Sequence, residues 1–113
     1  MPFIDLKTNA AVPSDKAEVI KAQFGEAIAD IPGKSENWLM VDIEPEHKMW
    51  FKGDSAPAAM VEVSIFGSAT AGALETLTGH ITDIVKSNLG IAENRIYVKY
   101  ELCTNWGWNG SNF

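Results

Sequence analysis

The sequence predicts an α+β fold: a two-layer sandwich built from one βαβ unit used twice. Three observations predict it. Apolar and polar residues alternate in four short runs, the period of a half-buried strand. Two longer stretches repeat apolar residues at helical spacing. The order strand, helix, strand then occurs twice, about half a chain apart.

The first run is PFIDLKT, Pro2 to Thr8, where Phe3, Asp5 and Lys7 alternate with Ile4 and Leu6. A turn-rich stretch follows, in which Ser14 or Asp15 is suited to cap a helix and Glu18 completes a capping box with Asp15. Ile20, Phe24, Ala27, Ile28 and Ile31 form one apolar stripe, which Pro32-Gly33 ends. The second strand is expected over Trp38 to Glu44, before Pro45. The second unit opens with Ala59 to Gly67. A small-residue run, SATAGA, leads into a helix with Leu74, Leu77, Ile81, Ile84, Val85 and Leu89 on one face, and Gly90 stops it. Arg95 to Leu102 is the closing strand. Between the units, His47 to Pro57 offers a short edge strand around Met49-Trp50-Phe51, and the tail from Thr104 reads as loop. The whole is one domain, 1–113, with pseudo-repeats at about 2–45 and 58–102.

Composition narrows the function. The chain has 113 residues, a formal net charge of −6 and one cysteine. Nucleic acid and anionic membrane surfaces are poor partners for that charge. Cys103 alone makes neither an internal disulfide nor a Cys-pair metal site. No apolar run is long enough for a membrane helix, and the N-terminus lacks the pattern of a secretory signal. The cytoplasm is the expected location, with release by an unconventional route left open.

Strand parity leaves a problem. One sheet face collects Ile4, Leu6, Val41, Ile43, Val61, Val63, Ile65, Ile96, Val98 and Tyr100, and wants the two helices. The other carries Asp5, Lys7, Asp42, Glu62, Lys99 and Glu101 in its middle, with Phe3, Trp38, Phe66 and Tyr97 near the strand ends. Two helices cover one face only. Either copies associate around the second face, or a monomer leaves it wet.

Residue types alone mark little chemistry. His47 and His80 read as solvated surface, and FGSATAG lacks the lysine and glycine spacing of a phosphate loop. Asn109-Gly110 reads as a turn. Pro2 is the exception. A small second residue permits removal of Met1, which exposes a secondary amine. In an apolar pocket beside a cation such an amine stays neutral at physiological pH and serves as a general base.

The chain resembles the macrophage migration inhibitory factor family, which includes D-dopachrome tautomerase, within the tautomerase superfamily. The resemblance runs from Pro2 to Phe113. It is carried by PFI…TN (Pro2 to Asn9), PGKS (Pro32 to Ser35), SAPAA…SIFG (around Pro57 to Gly67), NRIYVKY (Asn94 to Tyr100) and GWNGSNF (Gly107 to Phe113). It implies a homotrimer of duplicated βαβ subunits with active sites between neighbours. The activity implied is cofactor-independent keto–enol tautomerisation of small aromatic α-keto acids such as phenylpyruvate, with dopachrome isomerisation as a related activity. No metal or organic cofactor is implied. Pro2 matches the catalytic base and Lys34 the lysine that holds the substrate carboxylate. Tyr97 matches a tyrosine supplied by the adjacent subunit, and Trp108 and Phe113 match aromatic walls. Phe66 stands where an isoleucine is usual, Trp38 for a tyrosine, Trp106 for a smaller aliphatic residue and Lys99 for a substrate-contacting asparagine. These replacements imply a narrower, more aromatic pocket. The family's thiol motif falls on Ala58 to Val61, without cysteine, so thiol–disulfide activity is not expected. A cytokine-like signalling ligand is the alternative reading, and no receptor is legible in the sequence.

Overall fold

Alternation along the chain produces a four-stranded sheet with both helices on one face. The computed structural model describes residues 1–113. The strands are β1 (Pro2–Thr8), β2 (Met40–Glu44), β3 (Ala59–Phe66) and β4 (Ile96–Cys103), and the helices are α1 (Ser14–Ala27) and α2 (Ala71–Leu89). The order across the sheet is β2-β1-β3-β4. β1 and β2 are parallel, as are β3 and β4, each pair joined by a helix, and β1 meets β3 antiparallel at the centre. The α+β two-layer sandwich expected from the sequence is the one observed.

Ile4 and Leu6 of β1 and Val61, Val63 and Ile65 of β3 are buried under the helices. They meet Ile20, Phe24, Ala27 and Ile28 from the first helical stripe and Leu77, Ile81, Ile84 and Val85 from the second in one apolar cluster. Leu74 and Leu89, at the ends of α2, are only partly buried.

Several boundaries differ from expectation. The capping box does not form: helix α1 starts at Ser14 with Pro13 at the cap, and no side chain caps it. Proline supplies a preset φ there, and Asp15 keeps its charge in the first turn, where the helix dipole favours it. The helix ends at Ala27, and a 3₁₀ turn over Ile28–Asp30 tightens the exit while Ile31 stays in the core. Helix α2 is capped by Thr70, whose hydroxyl accepts from the Ala73 N–H at 3.1 Å. Gly90 closes it in the left-handed region at φ 68°. Trp38 is not in a strand. It belongs to a 3₁₀ turn, Glu36–Trp38, so β2 begins only at Met40. Gly25 makes room for that turn: a Cβ there would overlap the Glu36 carboxylate. The 47–57 segment gains a single bridge, Phe51 to Asp54, rather than an edge strand. The tail is more ordered than a loop. Strands β5 (Gly107–Trp108) and β6 (Ser111–Asn112) form a hairpin. Its turn residues Asn109 and Gly110 both have positive φ (53° and 84°), as a type I′ turn requires.

The face away from the helices carries charge in register. Asp42, Asp5, Glu62 and Lys99 lie side by side across the four strands. Three adjacent carboxylates repel one another. Lys7, one pleat along, bridges two of them, its ammonium 2.7 Å from Asp5 Oδ2 and 2.8 Å from Glu62 Oε1, and it also lies 3.8 Å from Glu44 Oε2.

Candidate active site

Pro2 opens the central strand β1. It pairs with Ile65 and is buried. A strand's first residue is where proline fits, because no ladder N–H is then lost. Met1 precedes it, and its carbonyl accepts the Phe66 N–H at 2.9 Å. Pro32 and Gly33 turn the chain after α1, with Gly33 at φ 84°, and this turn aims Lys34 back at the sheet. The Lys34 ammonium donates to the Phe66 carbonyl at 2.8 Å. Phe66 therefore ties together the start of the chain and the loop lysine through its own backbone, which a change of side chain at position 66 leaves intact.

Electrostatics at the chain start favour a neutral amine. Burial, and then the charge of Lys34, hold the Met1 α-amine below its ordinary value.

Aromatic rings close over this point. The Phe66 and Phe113 ring centroids are 5.5 Å apart, Trp108 stacks on Phe113 at 6.2 Å, and Trp38 meets Trp108 edge-on at 5.0 Å. The tail hairpin delivers two of these rings, and the Phe113 N–H donates to the Trp106 carbonyl at 3.0 Å to pin its base. Trp108 and Phe113 are each about half exposed (52% and 56%), so the cluster forms an open wall rather than core.

Pro2, Lys34, Trp38, Phe66, Trp106, Trp108 and Phe113 are thus brought to one end of the sheet. Tyr97 and Lys99 are not. Tyr97 is in register with Met60, five positions along β3 from the Ile65 that pairs with Pro2. Five strand residues span about 17 Å. Tyr97 instead stacks edge-on with Phe51 at 5.2 Å, beside an apolar hollow of about 240 Å³. Lys99 points its ammonium at Glu62 Oε2, 3.3 Å away. Within one chain the two residues lie at the far end and in the middle of the charged face.

Sequence reasoning missed the partners of that face. Burial raises the Asp5 carboxyl, but hydrogen bonding with Glu44 and Lys7 outweighs it and leaves the group below its ordinary value. Sharing a hydrogen bond with Asp5 raises Glu44. Lys7, and after it Lys99, hold Glu62 low. Asp5, Asp42 and Glu44 place oxygens within 4.8 Å of one another, a spacing a cation could bridge. Lys7 already supplies a positive charge there. The in-register acid row becomes readable only once strand pairing is known. His80 is not simply solvated: its Nδ1 is 3.1 Å from Asp30 Oδ2, across the two helices. His47 lies 3.6 Å from Glu44 Oε1.

Comparison with known proteins matches this geometry end to end. The family model described as macrophage migration inhibitory factor (MIF) matches residues 1–113. The chain is 31% identical over 120 residues to a macrophage migration inhibitory factor homolog of Trichuris trichiura, covering all of both chains. It is 29% identical over 116 residues to the macrophage migration inhibitory factor of Meriones unguiculatus, covering 100% of this chain and 99% of that one. Among solved structures, Leishmania major MIF2 superposes with a TM-score of 0.94 at 30% identity, over 100% of this chain and 97% of its own. The factor from Trichinella spiralis gives a TM-score of 0.81 at 26% identity, over 98% and 99%. With fold, length and sequence model in agreement along the whole chain, this protein belongs to the macrophage migration inhibitory factor family.

Proposed function

We propose that the protein is a cofactor-independent keto–enol tautomerase acting on small aromatic α-keto acids of the phenylpyruvate type. The observation that carries this reading is the setting of the chain start: a buried Pro2 on a central strand, with Lys34 held beside it on the Phe66 carbonyl. Removal of Met1 converts the Pro2 nitrogen from an amide into a secondary amine. The forces that depress the Met1 amine, burial and the Lys34 charge, act on that new amine too. It takes a proton from the carbon next to the keto group, and the resulting ammonium returns a proton to oxygen or carbon. Lys34 binds the substrate carboxylate as a charge-assisted donor. Trp38, Phe66, Trp106, Trp108 and Phe113 exclude water and lie against the substrate ring.

Tyr97 and Lys99 enter from a neighbouring copy in this reading, since one chain holds them away from Pro2. The assembly is a homotrimer of a single domain whose two βαβ halves, 2–45 and 58–102, repeat one unit. A signalling role is the second reading. What favours it is the name of the relatives, macrophage migration inhibitory factor.

The test is phenylpyruvate tautomerisation by protein shown by intact mass to have lost Met1, beside a Pro2→Gly variant processed in the same way. Glycine keeps a free amine but loses the secondary amine and the fixed ring, and a fall of about 10²-fold or more in kcat/KM is expected. Equal rates would refute Pro2 as the base.

A further inference from the structure

We infer that Arg95 is a positioning residue, which acts through Phe51 to set the ring of Tyr97. The inference rests on the reading above that Tyr97 serves a neighbouring copy's site. Tyr97 is 57% exposed, so its own strand does little to fix it. The ring that touches it, Phe51, sits in a segment with almost no regular structure. Lys52 and Gly53 both take positive φ there (54° and 78°), and the single Phe51–Asp54 bridge is the segment's own pairing. Such a loop needs outside support to hold a ring in place.

Arg95 provides that support from the turn just before β4. Its Nε donates to the Pro57 carbonyl at 2.8 Å and its Nη2 to the Ala56 carbonyl at 2.9 Å. Nη2 also lies 2.9 Å from Asp54 Oδ1, and the guanidinium carbon stands 5.1 Å from the centre of the Phe51 ring. The Arg95 side chain is only 14% exposed despite its charge. Asn9 holds the same segment from the end of β1. Its amide donates to the carbonyls of Met49, Ser55 and Ala56 at 3.1–3.2 Å and its oxygen accepts from Ala58 at 2.9 Å. A planar fork with several fixed donors satisfies these carbonyls and stacks on the ring at once. A lysine offers one compact charge and cannot do both. Phe51 then meets Tyr97 edge-on at 5.2 Å, an arrangement aromatic quadrupoles favour. Arg95 and Tyr97 are near neighbours in sequence, yet their coupling runs through a loop 44 residues before Arg95.

The experiment labels the protein with 3-fluorotyrosine. The chain has two tyrosines, so ¹⁹F spectra show two signals, and Tyr97→Phe assigns them. Arg95→Lys and Phe51→Leu are expected to move the Tyr97 signal toward that of the free amino acid and leave Tyr100 in place. Phe51→Trp, which keeps a ring and adds no tyrosine, restores the native position. An unmoved Tyr97 signal in both Arg95→Lys and Phe51→Leu would overturn the inference. Kinetics adds a second arm, with kcat/KM for phenylpyruvate falling about 3- to 10-fold in either variant. Neither change should add to the loss already caused by Tyr97→Ala. Full additivity in that background would mean that Arg95 serves the fold alone, and would overturn the inference as well. If Tyr97→Ala keeps the native rate, the role of Tyr97 in catalysis fails, while the ¹⁹F arm still decides whether Arg95 places it.

Discussion

Lys34 does two jobs if the proposed chemistry holds, and one substitution separates them. Its ammonium binds the substrate carboxylate, and its charge keeps the terminal amine neutral. Lys34→Ala is therefore expected to raise KM for phenylpyruvate roughly 10- to 100-fold, the worth of one charge-assisted hydrogen bond. The amine is a base only when neutral, so kcat/KM falls as pH drops below its pKa. Without the lysine charge that pKa rises, and the acid limb of the pH–rate profile moves to higher pH. A limb that stays put would show that Lys34 does not tune the amine. Lys7 is a second test. Lys7→Met leaves Asp5 and Glu62 facing each other without their shared cation, and a loss of about 1–2 kcal/mol by chemical denaturation at pH 7 is expected. Glu62 is held below its ordinary 4.5, so the stability it lends is present above that value and lost as pH falls through its folded one. The gap between wild type and Lys7→Met should accordingly shrink toward pH 3. Pro2 stands out in the sequence because a proline after the initiator Met is a local signal, whereas Lys34 after Pro-Gly reads as an ordinary loop lysine and is marked only by the family resemblance. Lys7 carries no such mark, since its three partners come from three strands.

The elements are legible wherever periodicity speaks and blurred where capping or turns decide. Both apolar stripes end in the core as expected, because burial rewards the helical period directly. Ile81, fully buried between α2 and the sheet, illustrates its size: Ile81→Ala should cost about 2–5 kcal/mol in unfolding free energy. Gly90 isolates a backbone effect. A methyl group there would meet nothing within 4 Å, yet the residue sits at φ 68°. Gly90→Ala should lower stability by about 1 kcal/mol through backbone strain alone. Strand β2 starts later than residue types suggest, because Trp38 looks like a strand residue. Its backbone is set by the Glu36 turn, a three-residue event with no period to read. The tail hairpin escapes a sequence reading for a similar reason. Its strands are two residues long, and only Asn109-Gly110 announces it.

For the molecule as a whole, the uncovered sheet face is the most informative expectation. Parity requires two helices to cover one face, and they do. Large apolar side chains of the other face then remain in the open on a single copy, with Met40 68% and Tyr97 57% exposed, and Trp50 of the nearby loop is 62% exposed. Association of copies would cover this face. Light scattering on purified protein is expected to give three times the 12.3 kDa of one chain. A species of 12.3 kDa would sink the trimer, and with it the composite site.

Phe66 has a practical consequence. Its N–H is taken by Met1, its carbonyl by Lys34 and its ring by Phe113, so both ends of the chain converge on one residue. An affinity tag or fluorescent fusion at either terminus would then run across the aromatic wall, and a tag before Pro2 would also keep its nitrogen acylated. Labels for imaging or immobilisation belong on the outer surface of the helices, where Ser87 of α2 is exposed and far in sequence from both ends.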